Sequence, residues 1–305
     1  MKSVFLYVGL LVSLYGQAQT NPRSINAQLE KVEQTLDFFL KEEGFRSYEK
    51  ITERERGVRP EHLYTILLTC VDWLREYERK KGLETIFNIG LSPKVYTPED
   101  ISRILRYLDK KLSMDAEKLN IKITRSIIKN EKTIRFNDLF YKAQNILSKL
   151  VRLNGGEHLS PSNVFSQLMR AIKDVESLLK PLGIIPKTHT IVYQNKIPKN
   201  VFENSLQIRK MLSDVYKSMG LHEGIEPEYR SDEAIKPADV YLQTQMILAE
   251  ISGIKRLFDS LKRTYEPIRV SHKTPSDCFQ LSAQLLDQLE QLKSADFYSK
   301  LQENE

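Results

Sequence analysis

Five histidines, His62, His158, His189, His222 and His272, are the side chains of this 305-residue chain best suited to proton transfer or metal binding near neutral pH. Either task needs a second histidine, a cysteine or a carboxylate spaced so that both groups turn to one point. No such spacing occurs, and His222-Glu223 lacks the second histidine of a helix-borne zinc site. His62 stands at a helix start and the other four between helices, so each reads as a solvated or locally bonded ring. Lys187-Thr188-His189-Thr190 is the most polar cluster outside the helices. The sequence carries no nucleophile elbow, phosphate-cradling glycine loop, calcium loop or haem-attachment pair. Catalytic residues, metal ligands and cofactors are therefore read as none, and the protein as a non-enzyme.

Six aromatic residues recur at one place in the sequence pattern: Tyr64, Phe140, Phe165, Phe202, Tyr241 and Phe279 each lie four residues after a helix start. If neighbouring helices run parallel, these rings gather near one end and form an aromatic layer for an apolar ligand or a sugar. The competing expectation is that each ring fills the core against its neighbour. Cys70 and Cys278 occupy apolar helix positions and read as small buried hydrophobes, since a disulfide would require distant repeats to meet within about 7 Å between Cα atoms. Arg79-Lys80-Lys81 falls at a helix end, where cations offset the dipole, and Lys110-Lys111 reads as part of a solvated face. No pair of carboxylates stands apart from the solvated faces.

The elements that position these residues come from a repeat. A proline or, once, a phenylalanine, then a polar residue, then an aliphatic and usually an aromatic, begins at Pro22, Pro60, Pro98, Phe136, Pro161, Pro198, Pro237 and Pro275. The steps are 38, 38, 38, 25, 37, 39 and 38 residues, so one unit is used eight times. Proline suits the first helical position, where its missing N–H has no partner. The residue two places on, such as Asp100, Asn163, Asn200, Asp239 or Asp277, then reaches back to the cap. Gly44, Gly82, Asn120, Gly183 and Gly220 lie 22 residues after their prolines, each followed by an apolar residue, and close the helix. Each full unit thus holds one helix of roughly 33 Å.

Apolar residues step at three and four within every unit, giving each helix a single stripe to bury and none that is apolar all round. The connections, about 16 residues long, reach roughly 50 Å. That lets the chain return to its starting end and launch the next helix parallel to the last, with the connection lying along the helices as an extended strap. The short step from Phe136 to Pro161 leaves too little chain for a return, so the helix at Pro161 runs antiparallel to its predecessor. Asp115–Asn130 is an alternative short helix of its own. The spacing is near that of tetratricopeptide, HEAT and armadillo repeats, but those hold two or three helices per unit and the tetratricopeptide residue pattern is missing. The expected fold is all-α: eight amphipathic helices from a ~38-residue repeat with long extended connections, as two four-helix groups (19–154 and 155–305) or a short solenoid.

Met1-Lys2, the apolar run Val4–Leu14 and Gly16-Gln17-Ala18 have the pattern of a cleavable export signal at 1–18. The run is too short to span a membrane as a helix, which implies an exported chain, periplasmic or secreted, not transmembrane after cleavage. A net charge of +6 suits anionic surfaces such as lipid headgroups without marking a nucleic-acid site. The functional expectation is a non-catalytic binding or scaffold module that meets a protein or envelope component through its helix ends and connections. The alternative is a carrier or sensor of an apolar small molecule held between helices.

Overall fold

A computed structural model describes residues 21–45, 57–85, 90–126, 134–156, 158–219, 234–258, 263–264 and 268–295. The segment 1–18 read as an export signal, His222, Gly220 and the C-terminal residues lie outside the described residues. Among the described residues there are eight α-helices and no strands: α1 (Pro22–Glu42), α2 (Pro60–Lys80), α3 (Pro98–Lys118), α4 (Phe136–Leu153), α5 (Pro161–Leu179), α6 (Pro198–Ser218), α7 (Pro237–Leu257) and α8 (Pro275–Lys293). A single 3-10 turn, Lys180–Leu182, extends α5.

Both ends of the unit form as their residue types require. The third helical residue accepts the backbone N–H of the cap residue: Asp100 from Thr97 at 3.0 Å, Asp138 from Arg135 at 2.8 Å, Asn163 from Ser160 at 2.8 Å, Asn200 from Ile197 at 3.1 Å and Asp277 from Thr274 at 2.7 Å. The cap residue itself varies from threonine to isoleucine, so the reach-back bond is the shared device. At the far end Gly44, Gly82, Asn120, Gly155 and Gly183 all take positive φ, between 57° and 79°. The next N–H bonds back into the last turn, as from Phe45 to Leu40 and from Leu83 to Glu78, each at 2.8 Å.

Helices of one group point the same way. Pro161, Pro198, Pro237 and Pro275, with Val164, Val201, Val240 and Cys278 one turn on, ring a single apolar depression, so four N-termini meet at one end. In the first group residues of similar depth pair, Gln28 with Ser102 and Lys149 with Glu33 and Asp37. Each group closes into a ring of the same order: α1–α3–α2–α4 back to α1, and α5–α7–α6–α8 back to α5. That closure gives two four-helix groups where a solenoid would leave an open stack. The groups meet through α2 and α7. There Thr69, mid-helix, bonds Gln245, while His62 near the start of α2 faces Glu250 far along α7, so these two helices are antiparallel.

Where they are described, the connections run as straps. Residues 121–126 are not helical, so the alternative helix at Asp115–Asn130 does not form over its described part; α3 simply continues through Asp115 to Lys118. From there Arg125 bonds Thr35 of α1 at 3.0 Å and Ser113 of α3 at 3.2 Å, holding the returning chain over both helices.

α7 departs from the single-stripe expectation. Its polar side is covered by α2 as well as by its own group, and 17 of its 21 residues are buried, including Gln243, Thr244, Gln245, Glu250, Ser252 and Lys255. Tyr216 of α6 lies against Gly253: its hydroxyl donates to the Glu250 carbonyl at 2.9 Å, and a Cβ on residue 253 would collide with that hydroxyl oxygen. In a solvated helix Gly→Ala stabilises by about 1 kcal/mol. Here Gly253→Ala is expected to destabilise by about 1–3 kcal/mol through overpacking, and adding Tyr216→Phe should recover part of the loss; urea unfolding of the two variants checks both signs.

Candidate functional site

The six helix-start aromatics do not meet as one layer. Phe140, Phe202 and Tyr241 are buried in the core. Tyr64, Phe165 and Phe279 are half-buried, and each is clasped by a connection. Tyr64 stacks on Tyr96 with centroids 4.0 Å apart, Lys273 sits 4.5 Å over the Phe165 ring, and Phe279 meets Tyr193 edge-on at 4.8 Å beneath Lys196. These rings anchor straps to helices. The four-proline depression, with about 10 Å³ of free volume, has no room for a carried molecule.

Among the described residues, the strap between α5 and α6 carries most of the large exposed apolar side chains. It runs along α8, whose glutamines grip it at successive turns. Gln291 accepts from the Lys187 N–H at 2.8 Å and donates to the Ile185 carbonyl at 2.9 Å; Gln288 donates to the Lys187 carbonyl at 3.0 Å, and Gln280 to that of His189 at 3.2 Å. His189 sits between Asp287 at 3.0 Å and the Tyr193 hydroxyl at 2.8 Å, and stacks on the Tyr193 ring. The polar cluster at 187–190 is thus a strap fastening. Outward, Ile185, Ile191, Val192 and Ile197 are 86%, 57%, 74% and 56% exposed, four of the seven large exposed apolar side chains described.

The junction of the two groups is polar and buried. Arg209 donates to Glu250 at 2.9 Å and to Gln243 at 3.3 Å, with His62 Nε2 3.4 Å from the same carboxylate. His62 Nδ1 accepts the Arg59 N–H at 3.2 Å, so a neutral ring carries its proton on Nε2, toward Glu250. Burial holds its pKa below the ordinary value, against the pull of Glu250. Lys255 and Thr264 both donate to Asp174. Beside this network a cavity of about 160 Å³ opens between the groups, walled by Asp72 and Trp73 of α2, Asn163 and Gln167 of α5, Tyr241 of α7 and Arg269 of the α7–α8 connection.

A second buried cluster corrects the sequence reading of Lys110-Lys111. Lys110 is exposed, but Lys111 is buried, 3.0 Å from Glu78 and 3.3 Å from Asp115, and donates to the Glu84 carbonyl at 2.8 Å. Glu78 and Asp115 are a carboxylate pair removed from solvent, on different helices. Burial raises the Glu78 pKa to about 7: the Lys111 ammonium opposes the rise and the Asp115 carboxyl adds to it. Cys70 and Cys278 are buried and unpaired, in different groups, and burial raises both thiols, Cys278 to about 12. Among the described residues no three His, Cys, Asp or Glu side chains are placed to hold a metal ion, and no helix is long and apolar enough to cross a membrane. No family model, curated protein or solved structure matches the chain.

Glu78 sets a pH signature. Its folded pKa lies above the unfolded carboxyl value, so its stabilisation is full below about pH 4.5 and lost as pH rises through about 7. His62, depressed by burial, works oppositely: its stabilisation is present above about pH 6.5 and lost as pH falls below it. Glu78→Gln removes the first without touching the second. Its stability relative to wild type should rise by an amount on the order of 2 kcal/mol between pH 5 and pH 8. Urea unfolding of both proteins at the two pH values checks this, and a pH-independent difference would rule it out.

Proposed function

We propose that the chain is an exported, non-catalytic helical binding module that engages an anionic component of the cell envelope through the strap between α5 and α6. The observation that carries the reading is that strap. It presents Ile185, Ile191, Val192 and Ile197 outward on a backbone already fixed by the α8 glutamines. Exposed aliphatic side chains are costly to leave in water, and clustered ones mark contact surfaces. From Lys180 to Phe202 the chain has four lysines, 180, 187, 196 and 199, and no acidic residue. Lysines beside inserting aliphatic groups suit an anionic lipid surface, where each contributes about 1 kcal/mol. Because the strap is ordered beforehand, binding does not spend its energy on ordering it. The export pattern at 1–18 supports an envelope setting.

Sedimentation with vesicles of phosphatidylcholine, alone and mixed with phosphatidylglycerol, tests the proposal. The protein should pellet with the anionic vesicles and release at high salt. The Ile185→Asp/Val192→Asp variant should lose at least tenfold in affinity with an unchanged melting temperature. Equal pelleting with both vesicles, or an unaffected variant, overturns it; cross-linking from the strap to one envelope protein would assign the surface to that partner instead.

A further inference from the structure

We infer that the cavity between the two helix groups binds one neutral, polyhydroxylated ring of monosaccharide size. Its volume, about 160 Å³, is that of a space for one six-membered ring. Its walls are not those of an apolar pocket. Two amides, three hydroxyls, a carboxylate, a guanidinium and an indole converge from α2, α5, α7 and the α7–α8 connection. That mixture of planar donors and acceptors matches vicinal hydroxyls, and the indole offers an apolar face to the C–H side of a sugar ring.

The bonds already made say which atoms are left for a ligand. Asn163 spends its carbonyl on the Ser160 cap, so its amide nitrogen points away from that cap. Gln167 accepts from Arg170 at 2.9 Å and donates to the Tyr241 hydroxyl at 3.2 Å. The Tyr241 hydroxyl thereby acts as an acceptor, from the Trp73 side chain as well as from Gln167, and its own proton is the part left to donate. Gln245, fully buried, gives its carbonyl to Thr69 at 2.7 Å, and its amide nitrogen has no partner. It lines the adjoining recess, which shares Thr69 and Asp72 with the cavity. A buried donor in that state is costly, and a ligand oxygen that reaches into the recess removes the cost.

The charges argue for a neutral ligand. Arg269 is already paired with Glu76 at 2.6 Å, and Asp72 faces Arg75 at 3.8 Å. A free ion or a zwitterion would compete with these pairs, whereas ring hydroxyls add to them. The site does not depend on the strap, so either assignment can fail without the other.

Trp73 is the single tryptophan of the chain and part of the cavity wall, so its emission reports occupancy directly. The experiment titrates the full protein with glucose, galactose, N-acetylglucosamine and, separately, glycine, with thermal melting in parallel. At least one sugar should shift the emission saturably and raise the melting temperature. Asp72→Ala and Tyr241→Phe, each checked for an unchanged melting temperature without ligand, should weaken that response at least tenfold. Silence toward all three sugars up to on the order of 100 mM, an equal response to glycine, or a sugar response untouched in both folded variants overturns the inference.

Discussion

Helices that all point one way within a group impose the constraint from which the rest follows. Each helix must be followed by a segment long enough to travel its whole length in the opposite direction, and four positive dipole ends are brought together. The first demand produces the straps. The second is met locally: Asp277 and its counterparts place an acceptor on the cap N–H at the head of the helix. The hydrogen bonds from Thr274 hold the Asp277 carboxyl below its usual range, the electrostatic sign of a carboxylate serving a helix start. In the α2 copy His62 takes the same place through Nδ1, which frees Nε2 to face Glu250. One helix-start position thus also ties the two groups together.

The junction of the groups gathers the chemistry that the helix cores exclude. Each ring buries its aliphatic stripes, and the side of α7 left over is met by α2 with Thr69, His62 and Trp73. Buried polar groups are tolerated only when paired, and most here are. The unpartnered Gln245 amide lines a narrow recess beside the cavity, and the Tyr241 hydroxyl stands on the cavity wall itself. A filled core would have neither.

Helix boundaries were legible in the sequence because they are encoded within a few residues: proline at the first position, an Asp or Asn two places on, a glycine 22 after the proline. Parallel packing was legible from chain length alone. The fate of individual polar residues was not. Gln243, Thr244 and Gln245 read as a solvated face, because nothing local distinguishes water from a neighbouring helix as their partner. Lys111 reads the same way, since Glu78 lies on another helix and only the fold brings it within 3.0 Å. The helix-start aromatics recur regularly, yet half of them serve the core. Trp73, with no repeat counterpart singled out, stands on the cavity wall. The strap reads as packed and extended; its outward aliphatic row depends on which side the α8 glutamines grip.

The ring order carries a consequence for how such a chain comes into being. In each group the first and second helices sit across the diagonal, as do the third and fourth, and meet only through side chains that reach the centre, such as Phe39 and Tyr77 with centroids 5.8 Å apart. A solenoid can grow one unit at a time, each new repeat covering the last. Here the first two helices meet only across the centre until the third arrives between them, and the ring stays open until the fourth. Each ring closes only when its fourth helix is in place, so well over a hundred residues, Pro22 to Leu153, must be present before the first group is complete.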